Sequence, residues 1–135
     1  MKKIKKICIV DDDPIHIYVA KNSIKKAEIS EEIIEFENGK EAYDKLVEMH
    51  EKGDSYPDVI LLDLNMPIWD GWDFLDEFSK LTFNHKIAVL ITTSSNDPAD
   101  QRRAKKYSMV NNLIVKPITM NKLVKELEKL DQSFQ

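Results

Sequence analysis

The chain has 135 residues, 42% hydrophobic and 33% charged, the balance of one soluble globular domain with a single buried core. Its formal net charge is -4 with both signs interspersed, so nucleic acid is not the expected partner, and no apolar run reaches the length of a membrane span. The one cysteine, Cys8, has no internal partner and sits in an apolar run, which fits a reducing cytoplasm.

Met1 to Lys6 is basic, but the apolar run behind it, Ile7–Val10, is too short for a signal peptide and stops at three aspartates. Further short apolar runs follow at Ile33–Phe36, Val59–Leu62, Ile87–Ile91 and Leu113–Val115. Those at 7–10, 59–62 and 87–91 are continuously apolar, the pattern of strands covered on both faces in a parallel sheet.

Between the runs lie helix signals. Asp13-Pro14 reads as a cap with proline at the first helical position, and Ile17, Ala20, Ile24 and Ala27 form one stripe behind it. Asn38 with Glu41 resembles a capping box ahead of Ala42, Leu46 and Met49. After Gly71, the residues Trp72, Leu75 and Phe78 share a face. Asp97-Pro98 opens a fourth helix whose apolar edge is only Ala104, Tyr107 and Ala99, so it is expected to pack thinly. Leu123, Val124, Leu127 and Leu130 give the last helix a full core face. Five βα units with right-handed crossovers predict an α/β fold with helices on both faces of a parallel sheet.

Polar residues with chemical potential follow the strands directly. Asp11 and Asp12 follow Val10, Asp63 follows Leu62, Thr92 and Thr93 follow Ile91, and Lys116 follows Val115. A parallel sheet brings these to its carboxyl edge, where open α/β sheets bind ligands. The second strand lacks such a residue, as expected of a border strand. Three clustered carboxylates repel one another, and a hard cation such as Mg²⁺, which takes carboxylate and phosphate oxygens, relieves that conflict. A carboxylate can attack phosphorus, while a lysine and a hydroxyl meet the charge on the transferring oxygens.

The stretch Val10-Asp-Asp12, the run Val59-Ile-Leu-Leu-Asp-Leu-Asn-Met-Pro67 with Asp70-Gly71, the pair Thr93-Ser94 and the pair Lys116-Pro117 occur in order and at matching spacing. In these motifs the chain resembles the receiver domain of two-component response regulators over essentially its whole length. The resemblance implies a flavodoxin-like five-stranded parallel sheet in the order 2-1-3-4-5. It implies a single receiver domain over 1–135 with no output domain, and phosphorylation of Asp63. It further implies Mg²⁺ held directly by Asp12 and Asp63, by Asn65 through its backbone carbonyl, and by Asp11 through water. Lys116 would pair with the phosphoryl oxygens, and the Lys116–Pro117 peptide is expected to be cis.

Thr92 and Thr93 could each supply the switch hydroxyl; Thr93 fits the spacing from Asp63 without a gap. The aromatic that the family carries three residues before its lysine is Leu113 here. By the same resemblance the phosphodonor is a sensor histidine kinase or a histidine-phosphotransfer protein, and the output surface is built from the fourth helix, fifth strand and fifth helix.

Several residues have plainer readings. Asp13 and Asp70 are expected to cap helices, and Met66 and Pro67 to shape a loop. Trp72 reads as a core anchor, and Trp69 as a loop residue beside the site. His16, His50 and His85 read as solvated surface histidines, and the run Arg102-Arg103-Ala104-Lys105-Lys106 as a solvated face. Three other functions compete. Asp11-x-Asp13 has the spacing of an aspartate-nucleophile phosphohydrolase, but that reading leaves Asp63-Leu-Asn-Met-Pro67 unexplained. A flavin module fits the fold alone, and an acidic sheet edge opposes an anionic phosphate. A receiver-like module that binds partners without phosphorylation would leave the five chemical positions idle.

Overall fold

The structure, a computed structural model, describes residues 4–83 and 86–133. Five strands alternate with five helices: β1 (Lys6–Val10), α1 (Pro14–Lys26), β2 (Glu32–Phe36), α2 (Gly39–Lys52), β3 (Val59–Asp63), α3 (Gly71–Phe78), β4 (Ala88–Thr93), α4 (Pro98–Ala104), β5 (Val110–Val115) and α5 (Met120–Ser133). The strands form one sheet in the order β2-β1-β3-β4-β5, and every neighbouring pair is parallel. β2 therefore lies at a border, as its lack of a chemical residue suggested.

The continuous apolar runs are explained by two cores, one on each face of the sheet. Alternate residues of the central strands point to opposite sides. Cys8, Val10, Ile60, Leu62, Val89 and Ile91 face α2 and α3, where Ala42, Leu46, Leu75 and Phe78 meet them. Ile7, Ile9, Val59, Leu61 and Leu90 face α1 and α5, where Ile17, Ile24, Leu123 and Leu127 meet them. At about 1.5–3 kcal/mol for each buried large aliphatic or aromatic side chain, these two layers dominate the stability.

Helix starts follow the sequence signals. Asp13, Asn38 and Asp97 each accept a backbone N–H with the side chain at the start of α1, α2 and α4. Asn38 supplies the accepting half of the box read at 38–41, taking the N–H of Glu41 at 2.8 Å. A reciprocal capping box lies instead at α3, where Asp70 and Asp73 each accept the other's backbone N–H. Asp70 is thus the cap it was expected to be.

α4 is shorter than its sequence pattern implied. It ends at Ala104, its one buried residue; Ala99 is exposed and Tyr107 lies three residues beyond the helix. Tyr107 instead stacks on Trp72 of α3, with ring centroids 6.0 Å apart, and its hydroxyl bonds the Asp76 carboxylate. The guanidinium of Arg103 lies 4.5 Å above the Trp72 ring. A cationic contact ties α4 to α3, and an aromatic one ties the segment just after α4 to the same ring, where an apolar stripe is missing. The charged residues of the run 102–106 are exposed, as the solvated-face reading expected, and Arg103 adds to that exposure a contact with Trp72.

His50 also departs from expectation. It is half-buried, and its ring stands 5.0 Å from that of Phe83 and 6.1 Å from that of Tyr56. His85 lies outside the described residues. Among the described residues no helix is long and apolar enough to cross a membrane.

Candidate functional site

Strand register builds the site. Val10 pairs with Leu62, so the next residue of each chain segment, Asp11 and Asp63, meets its neighbour across the sheet edge. Asp63 pairs with Thr92, and Thr93 pairs with Val115, directly ahead of Lys116. The ladder continues past the strands: Leu64 donates its N–H to the Thr92 carbonyl at 3.1 Å, and Lys116 donates its own to the Thr93 carbonyl at 2.7 Å. Asp63 and both threonines are the last residues of their strands rather than the first of the following loops.

Carboxylate oxygens of Asp11, Asp12 and Asp63 all lie within 4.8 Å of one another. Asp11 and Asp63 are buried, and Asp12 is exposed. The ammonium of Lys116 stands 3.4 Å from Asp63 Oδ1 and 3.5 Å from Asp11 Oδ2. The peptide between Lys116 and Pro117 is cis, as expected.

The two buried acids are also fixed from the backbone. Asp11 Oδ1 accepts the N–H of Asp13 at 2.9 Å, and Asp63 Oδ1 accepts that of Asn65 at 3.3 Å. Asp13 Oδ1 accepts the N–H of Ile15 at 2.9 Å, which confirms its place as the α1 cap.

Two buried carboxylates share the Lys116 ammonium, with Asp12 beside them, and the imbalance appears in Asp63. Burial first, and the Asp11 carboxylate second, push its pKa up from 3.8 to about 6, while Lys116 and the Asn65 N–H hold it back. The donor set is all oxygen, carries surplus negative charge and converges on one point. These properties fit a hard divalent cation such as Mg²⁺.

Thr93 is almost wholly buried at the end of β4, and its Oγ1 accepts the N–H of Ser95 at 3.1 Å. Thr92 points the other way and lines a cavity of about 240 Å³ between α1 and α5, together with Ile9, Leu61 and Leu123. Leu113 is buried in the core on the α2–α3 side.

The loop after β3 is held by close backbone approach. Gly71 donates its N–H to the Leu64 carbonyl at 2.9 Å. A Cβ at 71 would lie 2.8 Å from Leu64 Cα and 2.9 Å from the Asp63 carbonyl oxygen, so only glycine fits without a shift. Trp69 is half-buried in this loop; its ring lies 5.3 Å from that of Tyr43 and 5.3 Å from the Lys40 ammonium.

One residue at the site escaped the sequence reading. His16, in the first turn of α1, places Nδ1 2.9 Å from Lys116 Nζ and 3.8 Å from Asp11 Oδ2. It is exposed, as the surface reading expected, but it is not detached from the site. Its position four residues after Asp12, in a turn that starts at the acid pair, was the available signal.

Comparison with known proteins agrees with this fold. The family described as the response regulator receiver domain matches residues 7–128. The chain is 30% identical over 123 residues to the chemotaxis protein CheY1 of Helicobacter pylori, covering 91% of this chain and 94% of that protein. A two-component response regulator from Cytophaga hutchinsonii superposes with a TM-score of 0.85 at 32% identity, over 98% of this chain and 99% of the other. The phosphorylated cyanobacterial phytochrome response regulator RcpA superposes with a TM-score of 0.78 at 27% identity, over 96% and 93%. With its strand order, its acid cluster and a match across nearly its full length, the chain belongs to the receiver domain family of two-component response regulators.

Proposed function

We propose that the protein accepts a phosphoryl group on Asp63 from a phosphohistidine and signals by the change of shape that follows. The single observation that carries this reading is the convergence of Asp11, Asp12, Asp63 and Lys116 at one sheet edge. The donor is a sensor histidine kinase or a histidine-phosphotransfer protein, and the reaction takes place in the cytoplasm.

In the transfer, an Asp63 carboxylate oxygen attacks phosphorus as the bond from phosphorus to the histidine nitrogen breaks. The imidazole leaves with the electron pair and takes a proton from solvent. In the metal-free site burial and the Asp11 carboxylate raise the Asp63 pKa to about 6, so its carboxylate is still mostly ionised, and able to attack, at neutral pH. Lys116, already within salt-bridge distance of Asp63, is the cation for the phosphoryl oxygens.

Asp11, Asp12, Asp63 and the Asn65 backbone carbonyl are the groups that would hold Mg²⁺. When bound, Mg²⁺ relieves the repulsion among the carboxylates and neutralises phosphoryl charge. The burial of Asp11 and Asp63 strengthens every charge interaction at this edge.

Thr93 is the hydroxyl we assign to the modified state. To reach a phosphoryl oxygen it gives up the N–H of Ser95, which loosens the segment leading into α4. α4 responds readily because it buries only Ala104 and is otherwise held by Arg103 and by Tyr107 behind it. Leu113 is a buried aliphatic side chain, so no ring rotates at that position. The surface formed by α4, β5 and α5 then carries the signal to a protein partner, or the phosphoryl group passes onward in a relay.

Trp69 and Trp72 flank the loop that leaves Asp63, and they provide the test. Adding Mg²⁺ and then beryllofluoride, a phosphoryl mimic, should change tryptophan emission in two steps in the wild-type protein and not in Asp63→Ala. No change in the wild type at saturating concentrations of both would oppose the proposal.

A further inference from the structure

The Lys116 ammonium has three N–H donors and three partners: His16 Nδ1 at 2.9 Å, Asp63 Oδ1 at 3.4 Å and Asp11 Oδ2 at 3.5 Å. The shortest of these is the contact to a neutral-type acceptor on another element. An ammonium can only donate, so a hydrogen bond at this contact requires the Nδ1 lone pair as its acceptor. Asp13 Oδ2 also lies 3.3 Å from Nδ1, but the same nitrogen cannot donate to it while accepting from Lys116, and the lysine contact is shorter.

The Lys116 side chain is mostly buried, 11% exposed, while the His16 ring that meets it is 44% exposed. Lys116 and His16 both line the cavity of about 240 Å³ between α1 and α5, so one side of the lysine faces open space. Cavity lining on one side leaves polar contacts to set where the charged end of the stem rests. The two buried carboxylates attract the charge from 3.4 and 3.5 Å, and His16 Nδ1, at 2.9 Å, is the nearest polar contact and approaches from another element.

Resting on the phosphoacceptor reading, we infer that His16 is a positioning residue for phosphoryl transfer: its Nδ1 anchors the Lys116 ammonium at the point where phosphoryl oxygens arrive on Asp63. His16 acts through Lys116 and does not itself touch the transferring group. Its effect should therefore fall on the rate of the chemical step and leave donor binding and cation binding alone.

The test uses the full chain and acetyl phosphate as donor. The phosphorylation rate is followed against donor concentration, and Mg²⁺ affinity is read separately from tryptophan emission. His16→Leu, which keeps volume and loses the acceptor, should lower the maximal rate about 5–10-fold with half-saturation and Mg²⁺ affinity within twofold of wild type. His16→Asn, whose amide oxygen can take the Lys116 N–H, should recover most of that loss.

Equal rates in wild type and His16→Leu would overturn the inference. So would equal losses in the Leu and Asn variants, because a purely structural role gives no rescue. The histidine nitrogen spectrum tests the contact without any phosphorylation: the Nδ1 resonance of His16 should shift in Lys116→Met, and an unmoved resonance would contradict the anchor. If wild type takes up no phosphoryl group while that resonance does shift, the phosphoacceptor reading fails and the contact stands.

Discussion

Lys116 Nζ lies 3.4 Å from Asp63 Oδ1, so a cation at the end of β5 reaches across β4 to a carboxylate at the end of β3. This contact makes the sheet edge chemically coherent, because one ammonium must serve both Asp63 and Asp11.

Removing that cation should act in opposite directions on two measurements. Lys116 is among the groups that hold the Asp63 pKa down, so Lys116→Met should move it above its present value of about 6. Phosphorylation by acetyl phosphate should slow at least about tenfold, since the charge on the transferring oxygens loses its partner. Mg²⁺ affinity measured at pH 8 should rise, because the cation no longer competes with an ammonium for Asp63. A parallel loss of both would mean that Lys116 only supports the fold.

The raised pKa of Asp63 also fixes a dependence of stability on pH. A carboxyl whose folded pKa of about 6 lies above its ordinary 3.8 stabilises the fold fully below 3.8, and that contribution is lost as pH rises through 6. Metal-free protein should therefore be destabilised at pH 7.5 by this one group, by about 1–2 kcal/mol after solvent screening. Asp63→Asn should melt about 3–8 °C above wild type at pH 7.5 without metal, and the gap should close toward pH 4. Calorimetry at both pH values checks the sign; a less stable Asn variant at pH 7.5 would reverse it.

Much of this site could be read from the chain because the physics is local at each step. A continuous apolar run means burial on both faces, which means a parallel sheet, and a parallel sheet gathers Asp11, Asp63 and Lys116 at one edge. What escaped the sequence depended on reach across space. His16 meets Lys116 from one hundred positions away, and no periodicity encodes that contact. Arg103 is solvated as a charged run usually is, but its ring partner Trp72 belongs to a different helix and could not be read from the run. The end of α4 was misjudged because Tyr107 is apolar at helical spacing but finds Trp72 and Asp76 from beyond the helix.

Gly71 is the position where the loop has least freedom. Its missing side chain admits Leu64 and the Asp63 carbonyl at distances a Cβ cannot share, and both are backbone contacts on that side. Gly71→Ala should cost about 1–3 kcal/mol in urea unfolding and weaken Mg²⁺ binding, because the shift is transmitted to Asp63 and Asn65. An alanine variant with wild-type stability would show that the loop moves freely.

Asp70 separates a cap from a ligand. Its side chain accepts the Asp73 N–H at 2.9 Å within a reciprocal capping box. Asp70→Ala should lose about 1 kcal/mol of stability and keep its affinity for Mg²⁺. A large fall in Mg²⁺ affinity at unchanged stability would make Asp70 part of the acid cluster.

The most direct measurement is the intact mass of the purified protein after incubation with acetyl phosphate and Mg²⁺. The account predicts one added phosphoryl group per chain, lost on base treatment and absent from Asp63→Asn. An unmodified wild type, or a modified Asp63→Asn, would contradict the assignment of Asp63 as the phosphoacceptor.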